Sequence, residues 1–119
     1  MSASQLAQTA QEIAAKPRGI LAADESTGTI EKRLKSIDVV SSKDNRRDYR
    51  EFLFRTSGAE EFISGVILFD ETILQNAADG TPMVQVLQDA GIIPGIKVDK
   101  GAKALPFSAG ETVTEGLDG

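Results

Sequence analysis

Short apolar runs alternate with helical patterns along this 119-residue chain. Continuous apolar runs predict three strands, whereas apolar residues spaced three or four positions apart predict four helices. The predicted strands cover residues 19–23, 64–71 and 92–99, and the predicted helices cover residues 4–16, about 29–37, 42–58 and 82–90. This order, α-β-α-α-β-α-β, is typical of a parallel α/β fold. Three strands are too few to close a barrel.

Each predicted helix has an expected inner face and expected ends. The third helix should turn Tyr49, Phe52, Leu53 and Thr56 toward the core and stop at Gly58. The chain from residue 100 onward is rich in Gly, Thr and Ala and predicts no closing element. In the first helix we expect Leu6, Ala10 and Ile13 to face inward and Pro17 to follow the end. In the second helix we expect Gly28 or Thr29 as N-cap and Ile30, Leu34 and Ile37 inward. The fourth helix should have Thr81 as N-cap, Pro82 as its first residue, Val84 and Leu87 inward and Gly91 as its stop.

Composition narrows the class of protein. An apolar content of 40% and a charged content of 26% are those of an ordinary globular protein. The net charge of −5 argues against nucleic acid or an anionic membrane as the main partner. Without cysteine or histidine the chain has no disulfide and no Ser-His-Asp site, so proton chemistry must use Asp, Glu, Lys or Tyr. Neither a signal peptide nor a membrane-spanning run is recognisable, so we expect a cytoplasmic protein.

The segment 18–34 organises the rest of the chain, because it predicts a strand, a polar turn and a helix in succession. Asp24 falls at the carboxyl end of the first strand, and the hydroxyls of Ser26 and Thr29 fall at the start of the helix, where an anion is favoured. Lys97 falls at the end of the third strand, at the edge where parallel sheets build their sites. The alternatives are that the hydroxyls only cap the helix and that Lys97 pairs with a buried Asp.

Charged residues elsewhere in the chain allow three further interpretations. Asp70-Glu71 after an apolar run resembles a Walker B strand, but the chain has no G-x-x-x-x-G-K-[ST] loop, so this interpretation fails. A magnesium site built from the strand-end acids Asp24, Asp70 and Asp99 is disfavoured, because such acids more often cap helices or form salt bridges. No metal or other cofactor is expected. The arginine-rich third helix predicts a solvated face that pairs with neighbouring acids, with room for one arginine to reach inward.

Five motifs together resemble class I fructose-bisphosphate aldolase. They run in order over nearly the whole chain, and the resemblance identifies the chain with about the amino-terminal third of that enzyme. The motifs are GILAADESTGTIEKR at 19–33, NRRDYRE at 45–51, GVILFDET at 65–72, GIKVDKG at 95–101 and GETVTEGLDG at 110–119.

The resemblance implies a (β/α)8 TIM barrel, to which residues 1–119 contribute an N-terminal helix and the first three strands as part of a single domain. It implies a cytoplasmic, metal-free lyase, usually a homotetramer, that acts in glycolysis and gluconeogenesis. The family cleaves fructose 1,6-bisphosphate reversibly into dihydroxyacetone phosphate and glyceraldehyde 3-phosphate through a lysine Schiff base, which serves as the electron sink. The resemblance also implies site residues: Asp24 and Lys97 as catalytic, and Ser26, Thr29, Arg33 and Arg46 as substrate-binding.

By the same resemblance, the Schiff-base lysine and the acid–base glutamate lie beyond residue 119, because Lys97 matches a different family lysine. We therefore expect the 119-residue chain by itself to be inactive. Two alternatives stay open. The chain acts as a non-catalytic piece that binds phosphate or pairs with other aldolase chains, or it forms a small phosphate-binding module around Asp24, Thr29, Arg33 and Lys97.

Overall fold

Three parallel strands form the sheet that positions the rest of the chain, and their spatial order β1-β2-β3 follows the sequence. The computed structural model describes residues 1–118. Gly119, the last residue of the fifth motif, lies outside the described residues. The elements are α1 (Ala3–Ile13), β1 (Gly19–Ala23), α2 (Thr27–Lys35), α3 (Lys43–Phe54), α4 (Ala59–Phe62), β2 (Ile63–Leu68), α5 (Asp70–Ile73), α6 (Met83–Asp89), β3 (Ile93–Ile96), β4 (Ala102–Ala104) and β5 (Thr112–Thr114).

The register of the sheet brings the three strand ends level. Ala23 pairs with Leu68, and Leu68 pairs with Ile96. The N–H of Lys97 continues the ladder by donating to the carbonyl of Leu68 at 2.9 Å. The residues that directly follow the three strands therefore meet at one edge of the sheet, as expected for parallel strands.

The core lies between one face of β2 and the helices α3 and α6. Val66 and Leu68 share that face because side chains alternate along a strand. Met83 and Leu87 of α6 are fully buried against them. The remaining members of this cluster are Ala23, Phe54, Ala77, Val86 and Ile92.

The inner face of α3 differs from the prediction. Phe52 is 74% exposed and Thr56 is also exposed, whereas Arg50 and Phe54 are buried. Arg50 and Phe54 are four residues apart and therefore share one side of the helix. The apolar pattern predicted the wrong inner face because the charged residue Arg50 lies at the centre of the buried face. A prediction from apolar positions assigns a charged residue to the solvent side.

Several predicted helix ends were also wrong, by one to four residues. The third helix ends at Phe54 and not at Gly58. The second helix begins at Thr27 with Ser26 as N-cap, and it ends at Lys35, which leaves Ile37 exposed. Asp70 and Glu71 start a short helix instead of ending β2. In α6, Pro82 is the N-cap, and Met83 and Val86 are buried beside Leu87. Leu6 of α1 is exposed, and a short helix that was not predicted, α4, precedes β2.

A hairpin occupies part of the segment in which no further element was predicted. β4 and β5 pair antiparallel from residue 102 to residue 114. Both strands are three residues long and exposed, so they carry no apolar periodicity that a sequence pattern could detect. None of the helices among residues 1–118 has the length and apolar character needed to cross a membrane.

Candidate functional site

Asp24, Lys97 and Asp99 form a charged cluster at the carboxyl ends of β1 and β3. The Lys97 Nζ lies 3.2 Å from Asp24 Oδ2 and 2.5 Å from Asp99 Oδ2. All three side chains are partly exposed, so the cluster opens to solvent. The sheet register, which places residues 24 and 97 at the same edge, explains why side chains 73 positions apart meet.

The cluster fixes the charge of its members. The hydrogen bonds that Lys97 donates to Asp99 and then to Asp24 raise the pKa of Lys97 above its ordinary value. Hydrogen bonds from Lys97 and from the N–H of Gly101 lower the pKa of Asp99. Lys97 is therefore an ammonium group, and Asp99 a carboxylate, throughout the neutral pH range.

The start of α2 presents two exposed hydroxyls beside this cluster. Ser26 Oγ lies 3.1 Å from Thr29 Oγ1, and neither the Ser26 side chain nor any other supplies a capping hydrogen bond at its N-cap position. The two hydroxyls therefore bond to each other instead of capping the helix with their side chains, and both residues are exposed to solvent. An open cleft of about 430 Å³ next to them is lined by Ser26, Phe69, Asp70, Lys97, Asp99 and Lys100.

Arg33 lies one turn further along α2 and points back toward the turn that follows β1. Its Nη1 pairs with Glu25 Oε1, and the Tyr49 hydroxyl lies 3.4 Å from the same nitrogen. The side chain is nevertheless 53% exposed. The guanidinium has five N–H donors, so most of them remain available to a phosphate.

Arg46 lies apart from the cluster, in a bidentate pair with Glu71. Its Nε and Nη2 donate to the Glu71 carboxylate at 2.8 and 2.6 Å, and its Nη1 donates to the Ser41 carbonyl at 2.7 Å. The hydrogen bond from Arg46 lowers the pKa of Glu71. Since all three nitrogens of Arg46 are engaged and its side chain is 12% exposed, its predicted role in substrate binding stays a prediction.

Arg50 is the arginine that reaches inward from α3, and sequence reasoning did not single it out. It is fully buried, and its Nη2 donates to the main-chain carbonyl of Glu25 at 2.7 Å. Its guanidinium lies 4.0 Å from the carboxylates of both Glu25 and Glu71 and faces the ring of Phe69 at 5.8 Å. Burial lowers the pKa of Arg50, and the two carboxylates partly oppose that shift. The sequence signal that could have indicated its burial is its position one helical turn before Phe54, inside the NRRDYRE motif.

Arg47 and Arg55 form the predicted solvated face of the arginine-rich helix, whereas Arg46, at 12% exposed, does not belong to it. Arg47 pairs with Asp48 and Asp44, and Arg55 pairs with Glu51 and Asp79. Ion pairs of this kind contribute little to stability.

The segment that carries Lys97 and Asp99 is held by the hairpin. The Lys100 N–H donates to the Glu115 carbonyl at 2.8 Å, and the Glu115 N–H donates to the Gly101 carbonyl at 3.1 Å. Gly116 packs directly on this segment, with a φ of +93°, where a Cβ would come within 2.6 Å of the Val98 carbonyl oxygen. Only glycine fits this conformation and this approach.

The acids at the strand ends do not form a metal site among residues 1–118. No three acidic side chains there are grouped as metal ligands. The Lys97 ammonium lies between Asp24 and Asp99 and holds the position that a cation would need.

Comparison with known proteins gives the family of this chain. The family model "Fructose-bisphosphate aldolase class-I" matches residues 5–119. The chain is 55% identical over 119 residues to a probable class 1 fructose-bisphosphate aldolase of Xanthomonas campestris, covering 100% of this chain and 36% of the relative. It is 56% identical to fructose-bisphosphate aldolase 1 of Toxoplasma gondii, covering 98% and 32%. It also superimposes on the Plasmodium falciparum aldolase structure with a TM-score of 0.90 at 50% identity, covering 97% and 33%.

The chain thus spans about a third of the length of the curated relatives that it matches. That third holds the open sheet and the Asp24–Lys97 cluster. The chain belongs to the class I fructose-bisphosphate aldolase family.

Proposed function

We propose that the barrel to which this chain contributes cleaves fructose 1,6-bisphosphate reversibly into dihydroxyacetone phosphate and glyceraldehyde 3-phosphate, in glycolysis and gluconeogenesis. The observation that carries the proposal is the Asp24–Lys97 pair at the strand ends of a chain that belongs to the aldolase family. Breaking a carbon–carbon bond beside a carbonyl requires an electron sink, a proton-transfer group and cations for two phosphates.

The residues of this chain supply the second and third of these requirements. The Asp24 carboxylate binds the sugar hydroxyls and assists proton transfer, and the Lys97 ammonium holds the substrate. Ser26, Thr29 and Arg33 bind a phosphate, because two hydroxyls and a half-exposed guanidinium lie around the start of one helix.

The electron sink is a Schiff base on a lysine outside residues 1–119. A Schiff base forms from a free amine, and the two carboxylates that raise the pKa of Lys97 keep its nitrogen protonated and occupied. Lys97 is therefore a poor nucleophile in this arrangement. We propose that the chain alone is inactive, because the family resemblance places the Schiff-base lysine beyond residue 119.

Borohydride trapping tests this assignment. We expect no adduct on the 119-residue chain treated with dihydroxyacetone phosphate and borohydride, as measured by intact mass. The positive control is the completed barrel, defined as a protein in which residues 1–119 replace the matching 119 residues of the Xanthomonas campestris relative. It should give one adduct per chain, at a lysine outside the replaced segment. A stoichiometric adduct at Lys97 would contradict the assignment.

The cellular setting follows from the same family. We propose a cytoplasmic enzyme, since relatives that are 56% and 55% identical are named as the cytosolic aldolase 6 of Arabidopsis thaliana and the cytoplasmic isozyme of Spinacia oleracea. Assembly as a homotetramer rests on the family resemblance.

A second candidate function is that of a non-catalytic piece that pairs with other aldolase chains. Both edges of the three-stranded sheet are open in the described residues, and Ile20, Ile96 and Val98 are exposed beside them. Open strand edges with apolar neighbours favour association. The other alternative, a small phosphate-binding module, has Asp24, Thr29, Arg33 and Lys97 as its pocket.

Sedimentation analysis tests this second function. Mixed with the remaining two thirds of the Xanthomonas campestris relative, expressed as a separate polypeptide, the chain should form a one-to-one complex. A chain that sediments as a monomer, both alone and in the mixture, would rule out pairing.

A further inference from the structure

Two residues of the NRRDYRE motif, Tyr49 and Arg50, have no role in the chemistry described so far, yet both converge on the turn that follows β1. Arg50 donates to the Glu25 carbonyl, and Tyr49 lies 3.4 Å from the Nη1 of Arg33. Glu25 contacts both arginines and directly follows Asp24 in the sequence. Glu25 therefore links Arg50 of α3 to Arg33, which Tyr49 of the same helix contacts directly.

The Glu25 side chain is held on both sides. It is only 9% exposed, its Oε1 pairs with Arg33, and its Oε2 lies 4.0 Å from the Arg50 Nη2. That second oxygen has no hydrogen-bond partner within the described residues. A nearly buried carboxylate requires a neighbouring cation, and Arg50, which is fully buried, is a cation with little freedom to move. The position of Glu25 is consequently set by α3.

The contact with Glu25 leaves Arg33 available to a ligand. Both Glu25 and Tyr49 contact the same nitrogen, Nη1. Because the guanidinium is planar and rigid, holding one nitrogen restricts the plane of the whole group, while the other donors remain unused. Glu25 therefore restricts the direction of Arg33 without occupying the group.

We propose that Glu25 is a positioning residue that links the buried Arg50 to Arg33 and directs the Arg33 guanidinium toward a substrate phosphate. The proposal rests on the proposed function, in which Arg33 binds phosphate. It assigns to NRRDYRE the task of orienting Arg33 ahead of substrate binding, so that less conformational entropy is lost when the phosphate arrives.

The test is a double-mutant cycle in the completed barrel. We expect Glu25→Gln to raise KM for fructose 1,6-bisphosphate about five- to tenfold with little change in kcat, the size expected for losing one positioned charged contact. In the Arg33→Ala background the same change should have no further effect on KM. Glu61→Gln, an exposed acid at the opposite end of β2, is the matched control and should leave both constants unchanged.

A second variant separates positioning from folding. Tyr49→Phe removes only a hydroxyl and should raise KM about twofold, again only when Arg33 is present. Two results would overturn the proposal. A lower KM in Glu25→Gln would show that Glu25 competes with the phosphate, and an equal effect in the Arg33→Ala background would show that Glu25 supports only the fold.

Failure of the proposed function has a different signature. If the completed barrel without substitutions shows no aldol cleavage, the proposed function fails. Positioning is then measured by NMR as the rate of rotation of the Arg33 guanidinium in the completed barrel. Faster rotation in Glu25→Gln than in Glu61→Gln supports positioning, and an unchanged rate contradicts it.

Discussion

Replacing Lys97 by methionine in the completed barrel is expected to lower kcat/KM for fructose 1,6-bisphosphate by about 100- to 1,000-fold, the range for removing one preorganised electrostatic group. The substitution keeps the length of the side chain and removes its charge. Asp24 and Asp99 then lose the ammonium group that lies between them. Steady-state kinetics of purified protein at neutral pH measure the loss.

Two variants bracket this prediction. Lys103→Met changes an exposed lysine on the hairpin and should leave kcat/KM unchanged. Lys97→Arg keeps the charge with a different geometry and should recover part of the activity. Retention of full activity by Lys97→Met would remove Lys97 from the site.

The same cluster predicts a broad pH range for the pairing. Because the pKa of Lys97 lies above its ordinary value, the stabilisation from its charge is present at neutral pH and is lost only as the pH rises through that raised pKa. Because the pKa of Asp99 lies below its ordinary value, the contribution of its carboxylate is lost only as the pH falls through that lowered pKa. Between the two values the pair stays intact.

Replacing Arg50 by methionine is expected to destabilise the completed barrel by about 3 kcal/mol, the size measured when one partner of a buried ion cluster is removed. The guanidinium is fully buried and donates to the Glu25 carbonyl. Without it, the carboxylates of Glu25 and Glu71 lose a cation 4.0 Å away. The midpoint of urea unfolding measures the loss.

The control for this substitution is Arg47→Met on the same helix. Within residues 1–118, Arg47 forms ion pairs only with the exposed acids Asp48 and Asp44, so we expect a change within about 0.5 kcal/mol. If uncompensated negative charge causes the loss in Arg50→Met, adding Glu71→Gln should recover part of the stability. If Arg50→Met is as stable as the completed barrel without substitutions, the free-energy cost of burying the guanidinium equals the stabilisation from its contacts, which would contradict the prediction.

The sequence was sufficient for the parts of the fold that depend on local pattern. The three strands, their parallel class and the position of Lys97 at a strand end all follow from apolar runs and their order. The meeting of Asp24 and Lys97 was predictable in kind, because parallel strands align their carboxyl ends. Asp99, the second partner of Lys97, entered the sequence analysis only as a member of the disfavoured magnesium site. A hydrophobic pattern does not show that Lys97 bonds to two acids at once.

The sequence was insufficient where contacts over long separations decide the outcome. Arg50 lies inside because Glu25, 25 positions earlier, supplies a carbonyl and a charge, and a helical pattern contains neither. Arg33 and Arg46 look alike in the sequence, but one is half-exposed and the other is engaged by Glu71 and Ser41. The short strands of the hairpin form through pairing with each other, which composition does not reveal.

The agreement between strand order and sequence order has a consequence for how the protein folds during synthesis. Each strand of the sheet pairs with the next strand along the chain, β1 with β2 and β2 with β3. These two strand pairings, or seams of the sheet, can therefore form while later residues are still being synthesised. A barrel that continues this order adds each new strand at the β3 edge, and its final seam joins the last strand to β1. That closing seam has the greatest sequence separation and the largest loop-closure cost of any in the barrel. Until it forms, the β1 edge, with Ile20 beside it, is the part of the nascent protein that most needs protection from aggregation.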